Sequence, residues 1–181
     1  HLDHCGFLPK LVKEGFKGKI FATAPTVDIA RIALIDSGKI NQEDAAYKRR
    51  RHEKENRHGP HPELPLYTVE DAEAVMGRFH PDGYQEKIAV TPSCTAVFHN
   101  AGHIIGSAMI ELKIKEGGKR KRLIFTGDIG RRGNILLNQP SRFEQADGVI
   151  MESTYGDRVH ESQTEALARL EKIISETYRR G

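Results

Sequence analysis

Two histidines and an aspartate open the chain in His1-Leu2-Asp3-His4, a spacing that suits metal ligation. In an extended segment His1 and Asp3 project to one side and His4 to the other. A turn at Asp3-His4, where Gly6 lets a helix begin, would gather all three heads around one small volume. Imidazole nitrogen and carboxylate oxygen together suit a borderline cation such as zinc. Taken alone, the quartet also reads as a polar surface loop, since short motifs occur by chance. Three further ionisable residues follow apolar, strand-like sequence and sit among glycines: His103 in Ala101-Gly102-His103-Ile104-Ile105-Gly106-Ser107, Asp128 in Phe125-Thr126-Gly127-Asp128-Ile129-Gly130, and Glu152 in Met151-Glu152-Ser153-Thr154-Tyr155-Gly156. Glycine lets the backbone bend closely around a site. Each residue also has a plain structural explanation: a satisfied core histidine, a turn aspartate, a strand-end charge.

The elements that must position these groups follow from periodicity. Phe7, Leu8, Leu11 and Val12 recur at helical spacing from Gly6 to Glu14, with Gly15 as a stop. Lys19 to Thr23 reads as a short buried strand, and Thr26 as the cap of a helix whose inner face is Ile29, Ala30, Ala33 and Leu34. Residues 41–65, with their basic cluster, three histidines and three prolines, read as an exposed insertion, part of it helical. Thr68 and Asp71 form a capping box ahead of Ala72, Val75, Met76 and Phe79, and His80 to Gly83 closes that helix as a turn. From Lys87 the material is strand-like, with Gly117-Gly118 marking a hairpin. A further strand at 148–151 delivers Glu152. Ser162 and Glu165 cap a last helix carrying Leu167, Leu170, Ile174 and Tyr178 on one face. Strand and helix alternate early and antiparallel strands dominate the middle, an α/β class.

A chain of 181 residues with 38% hydrophobic side chains suits one proper core, and its apolar runs are far too short to span a membrane. Two cysteines, Cys5 and Cys94, form no disulfide framework, whereas nine histidines are a suggestive inventory for a metal site. The default setting is therefore reducing and cytoplasmic. The net charge of +3 conceals clusters at Lys48-Arg49-Arg50-Arg51, Lys119-Arg120-Lys121-Arg122, Arg131-Arg132 and Arg179-Arg180, which either neutralise phosphates or are simply solvated.

Taken in order, the four motifs resemble the metallo-β-lactamase fold, and within it the β-CASP branch of RNA-processing nucleases related to the cleavage and polyadenylation endonuclease. That family carries a His-x-His-x-Asp-His motif, a histidine in an AGHxxGxA-like loop, an aspartate in a TGD loop and a glutamate in ESTYG. The resemblance implies part of an αβ/βα sandwich over residues 1–157, without that domain's N-terminal strands, and the start of a β-CASP domain over residues 158–181. It implies two zinc ions, His1 and His103 on one, Asp3 and His4 on the other, Asp128 bridging. A pair of ions about 3.5–4 Å apart would hold a bridging hydroxide for attack on an RNA phosphodiester. Asp3 would also orient the nucleophile, and Glu152 would hold a histidine that assists the leaving oxygen. Single-stranded RNA, held by low-specificity phosphate contacts, is the implied partner, with no membrane and with a homodimer as one assembly.

The family's first motif histidine would precede His1, and the partner of Glu152 and a further zinc ligand would follow Gly181. The resemblance therefore implies a zinc-dependent hydrolase in the full-length protein, while this stretch need not be active alone. Two rival readings are a lactamase-fold hydrolase of a small ester or thioester, against which ESTYG and the basic clusters argue, and a non-catalytic scaffold, against which the intact ligands argue. Cys5 reads as packing at the helix start. His160, close to Glu152 in sequence, either touches RNA phosphate or caps the following helix.

Overall fold

Thr23 starts the longest helix of the chain and, with it, the layer on which the motif residues rest. In the computed structural model, which describes residues 1–133, 136–159 and 162–181, the elements run α1 (Leu2–Cys5), α2 (Leu8–Lys13), β1 (Ile20–Ala22), α3 (Ala24–Lys54), α4 (Val69–Met76), β2 (Phe79–Pro81), β3 (Lys87–Thr91), β4 (Cys94–Asn100), β5 (Ala108–Glu116), β6 (Lys119–Phe125), β7 (Gly148–Ile150) and α5 (Gln163–Arg180). The class is mixed α/β. The chain separates into two compact units, His1–Met151 and Glu152–Gly181.

Within the first unit, β1 and β2 pair in parallel, and β3-β4-β5-β6-β7 form a second sheet, antiparallel up to β6 and parallel between β6 and β7. Side-chain alternation in β1 joins the layers. Ile20 packs with Leu34, Tyr67, Ala72 and Val75 of the helical core, whereas Phe21 packs with Ile88, Ala96 and Phe98 of the larger sheet. Burying a side chain such as Leu34 is worth about 1.5–3 kcal/mol. Gly38 brings α3 against the start of α4, where an added Cβ would stand 2.9 Å from the carbonyl oxygen of Thr68. The β5–β6 hairpin turns through Gly117 and Gly118, both at positive φ, a pair that favours the primed two-residue turn.

In the second unit, Ser162 caps α5 with the reciprocal Glu165 contact anticipated from the sequence, and the Thr68–Asp71 box caps α4 in the same way. Several local readings shift. His1 to His4 is not extended: Leu2 to Cys5 is a helical turn with His1 at its N-cap. The cap of α3 is Thr23, since Pro25, lacking an N–H, is placed in the first turn where no donor is needed. α3 also runs on to Lys54, so the basic cluster at 48–51 lies on a helix, and the irregular segment begins beyond it. Phe79 to Pro81 leaves the helix to pair with β1, because that edge offers backbone partners that a turn would not.

Candidate metal centre

Four side chains from three segments meet at one end of the first unit. The helical turn of α1 sends His1 and His4 to the same side, with ring centroids 4.7 Å apart. The loop between β4 and β5 supplies His103, whose ring lies 5.5 Å from that of His1. The loop after β6 supplies Asp128, whose two oxygens divide the histidines between them. Oδ2 lies 2.8 Å from Nε2 of His1 and 3.5 Å from Nε2 of His103, while Oδ1 lies 3.3 Å from Nε2 of His4. One ligand atom each from His1, His103 and Asp128 falls within 4.8 Å of the others. A neutral imidazole pair with one carboxylate is a donor set that zinc accepts, and the spacing is short enough for one ion to reach all three.

The loops are held by main-chain bonds that the motifs alone did not announce. Asn100 Oδ1 accepts from the amide of Gly102 at 2.7 Å, and Ser107 Oγ accepts from the amides of His103 and Ile104 at 3.1 and 3.2 Å. The amide of Gly130 donates to the carbonyl of Ala101 at 2.8 Å, and a Cβ at Gly130 would land on the carbonyl oxygen of Gly102. The two glycine loops are thus interlocked, which sets the distance between His103 and Asp128. Gly102, Gly106 and Gly127 take positive φ, the conformation for which glycine suits these turns. On the far side, the hydroxyls of Thr23 and Thr26 both donate to the carbonyl of Gly106, at 2.7 and 3.0 Å. The nearest hint of these roles in the sequence is that Asn100 and Ser107, small polar residues suited to closing turns, bracket the loop of His103.

A cleft of about 330 Å³ opens beside the cluster, lined on its polar side by His1, His4, His103 and Asp128 and on its apolar side by residues such as Leu8, Phe21 and Phe98. Asp3 stands at the rim, 83% exposed, with its carboxylate 3.4 Å from Nδ1 of His1. Cys5 is buried in the helical core, where desolvation pushes its thiol up and keeps it protonated at neutral pH. Glu152 is the half-exposed first residue of the second unit, and His160 lies outside the described residues.

No protein-family model matches the chain. Along its whole length it is 33% identical to a ribonuclease of Thermus thermophilus, covering 36% of that protein. It is 34% identical, over 185 aligned residues, to the transcription termination factor FttA of Methanocaldococcus jannaschii and to that of Methanothermobacter thermautotrophicus, covering 26% of each. No helix among the described residues is long and apolar enough to cross a membrane. The chain is therefore similar, from end to end, to about a third of a protein named as a ribonuclease and about a quarter of proteins named as transcription termination factors.

Proposed function

We propose that this chain carries most of the metal centre of a zinc-dependent ribonuclease of the β-CASP branch of the metallo-β-lactamase fold. The observation that carries the reading is the division of labour at Asp128, with Oδ2 toward His1 and His103 and Oδ1 toward His4. That is the arrangement a bridging carboxylate requires. His1, His103 and Asp128 would hold one zinc; His4, Asp3 and Asp128 the other. When bound, zinc supplies Lewis acidity toward phosphate oxygens and lowers the pKa of water.

The chain's own residues do the rest. Asp3 lies at the surface, 3.4 Å from Nδ1 of His1, and would also orient the nucleophile. Thr23, Thr26 and Ser107 hold the loop of His103 against the cleft. By the resemblance, Glu152 would hold a histidine that assists the leaving oxygen. The names of the relatives support RNA as the substrate class, cut by phosphodiester hydrolysis.

The test compares, in the full-length protein, Asp128→Ala and His103→Ala with the wild type for zinc content after dialysis and for cleavage of labelled single-stranded RNA. Both variants are expected to lose zinc and to cleave at least ~100-fold more slowly. Undiminished zinc and cleavage in both would overturn the reading.

A further inference from the structure

The β5–β6 hairpin sets like charges directly across from one another. Lys113 pairs with Arg122 and Lys115 with Arg120. Opposite residues of an antiparallel pair project from the same face, as do residues two apart along a strand. The four cations therefore form a two-by-two block on one face of the sheet. Glu111 is the next residue inward on that face, but it is 2% exposed and its carboxylate is committed to Arg122, to Lys113 at 3.3 Å and to His99 at 2.7 Å. The outer pair, Lys115 and Arg120, is exposed and has no carboxylate partner among the described residues. On the opposite face, by contrast, Glu116 stands across from Lys119.

Like charges in register cost stability. The turn at Gly117 and Gly118 holds the register, so the strands cannot slip to relieve the repulsion. A block of this kind is relieved when a chain of regularly spaced anions lies across it. β6 runs from the block to Phe125, just ahead of Asp128, which puts the block roughly 20 Å along the strand from the histidine cluster.

We infer that Lys115 and Arg120, the exposed outer pair of this block, bind the phosphate backbone of single-stranded RNA several nucleotides away from the metal centre. The inference rests on the ribonuclease reading for its choice of polyanion. The surface then grips long substrates and contributes nothing to short ones, and its contacts are to phosphate, hence independent of base sequence.

The experiment measures binding of a labelled single-stranded RNA, long enough to span both regions, by fluorescence anisotropy over a salt series without divalent metal. It compares wild type, Lys115→Gln/Arg120→Gln, and a control, Lys39→Gln/Lys54→Gln, that removes the same charge from exposed positions on α3. Loss of two phosphate contacts lowers the slope of log affinity against log salt by about 1.4 and weakens binding about tenfold at low salt. The control is expected to stay within about twofold of wild type. The hairpin variant is also expected to melt no lower than wild type at low salt, since repulsion is relieved. An unchanged slope, an equal loss in the control, or a loss seen with polyglutamate and not with RNA would each overturn the inference. Full-length wild-type protein that binds RNA through the block but cleaves no RNA of any length would sink the ribonuclease reading alone.

Discussion

Gly130 and Ala101 are joined by a main-chain hydrogen bond of 2.8 Å that closes the loop of Asp128 against the loop of His103. Because a methyl group at Gly130 would occupy the place of the Gly102 carbonyl oxygen, the two backbones meet with no room for a side chain. Gly130→Ala is expected to destabilise the fold by about 1–3 kcal/mol through overpacking. Its effect on zinc affinity should be larger than thermal denaturation alone would suggest, since the loops must part along the line between the ligands. Titration with a zinc indicator beside a melting curve checks this; a variant that melts lower yet binds zinc as before would contradict it.

Ser107 offers one hydroxyl to two amides, those of His103 and Ile104. Ser107→Ala leaves both without that acceptor and is expected to cost about 1–3 kcal/mol. Zinc affinity should fall about 10–100-fold, as when a partner that orients a ligand is removed. Ser107→Thr keeps the acceptor and should recover most of the affinity. Failure of threonine to rescue would point to packing as the cause.

Glu111 makes acid stability readable. Burial pushes its carboxyl up, but contacts from His99, Lys113 and Arg122 outweigh burial and hold it below the usual glutamate range. A folded value below the unfolded one stabilises the fold fully above the ordinary glutamate value, and that contribution is lost as pH falls through the depressed one. Stability against urea should therefore decline below about pH 4.3. Glu111→Gln should flatten this decline and cost about 1.5–3 kcal/mol at neutral pH, because it weakens charge-assisted contacts to Lys113 and Arg122 and removes the anion between them. A parallel acid dependence in both proteins would show that the carboxylate lies elsewhere.

The local chemistry of caps and turns was legible in the sequence: the Thr68–Asp71 and Ser162–Glu165 boxes and the Gly117-Gly118 hairpin all form from neighbouring residues. The meeting of His1, His4, His103 and Asp128 rests on contacts between segments far apart in the chain. Those contacts are why spacing misled at the edges. Phe79 fits a helical stripe, yet a free strand edge on β1 draws it into β2. The turn expected at Asp3-His4 forms as a helical turn that brings the rings of His1 and His4 to one side and leaves Asp3 exposed. Gly130 carries no mark of its role in its local sequence, because what it touches lies on another loop.

The carbonyl of Gly106 accepts from Thr23 and Thr26 at the start of a 31-residue helix. The loop of His103 therefore cannot swing outward without breaking both hydroxyl bonds to the start of α3. In hydrogen exchange its amides should report the opening energy of that helix start, not the near-zero protection of a surface loop. The conformational entropy of holding the histidine is surrendered once, when the chain folds. On the proposed reading, a cation would then meet a loop already held in place.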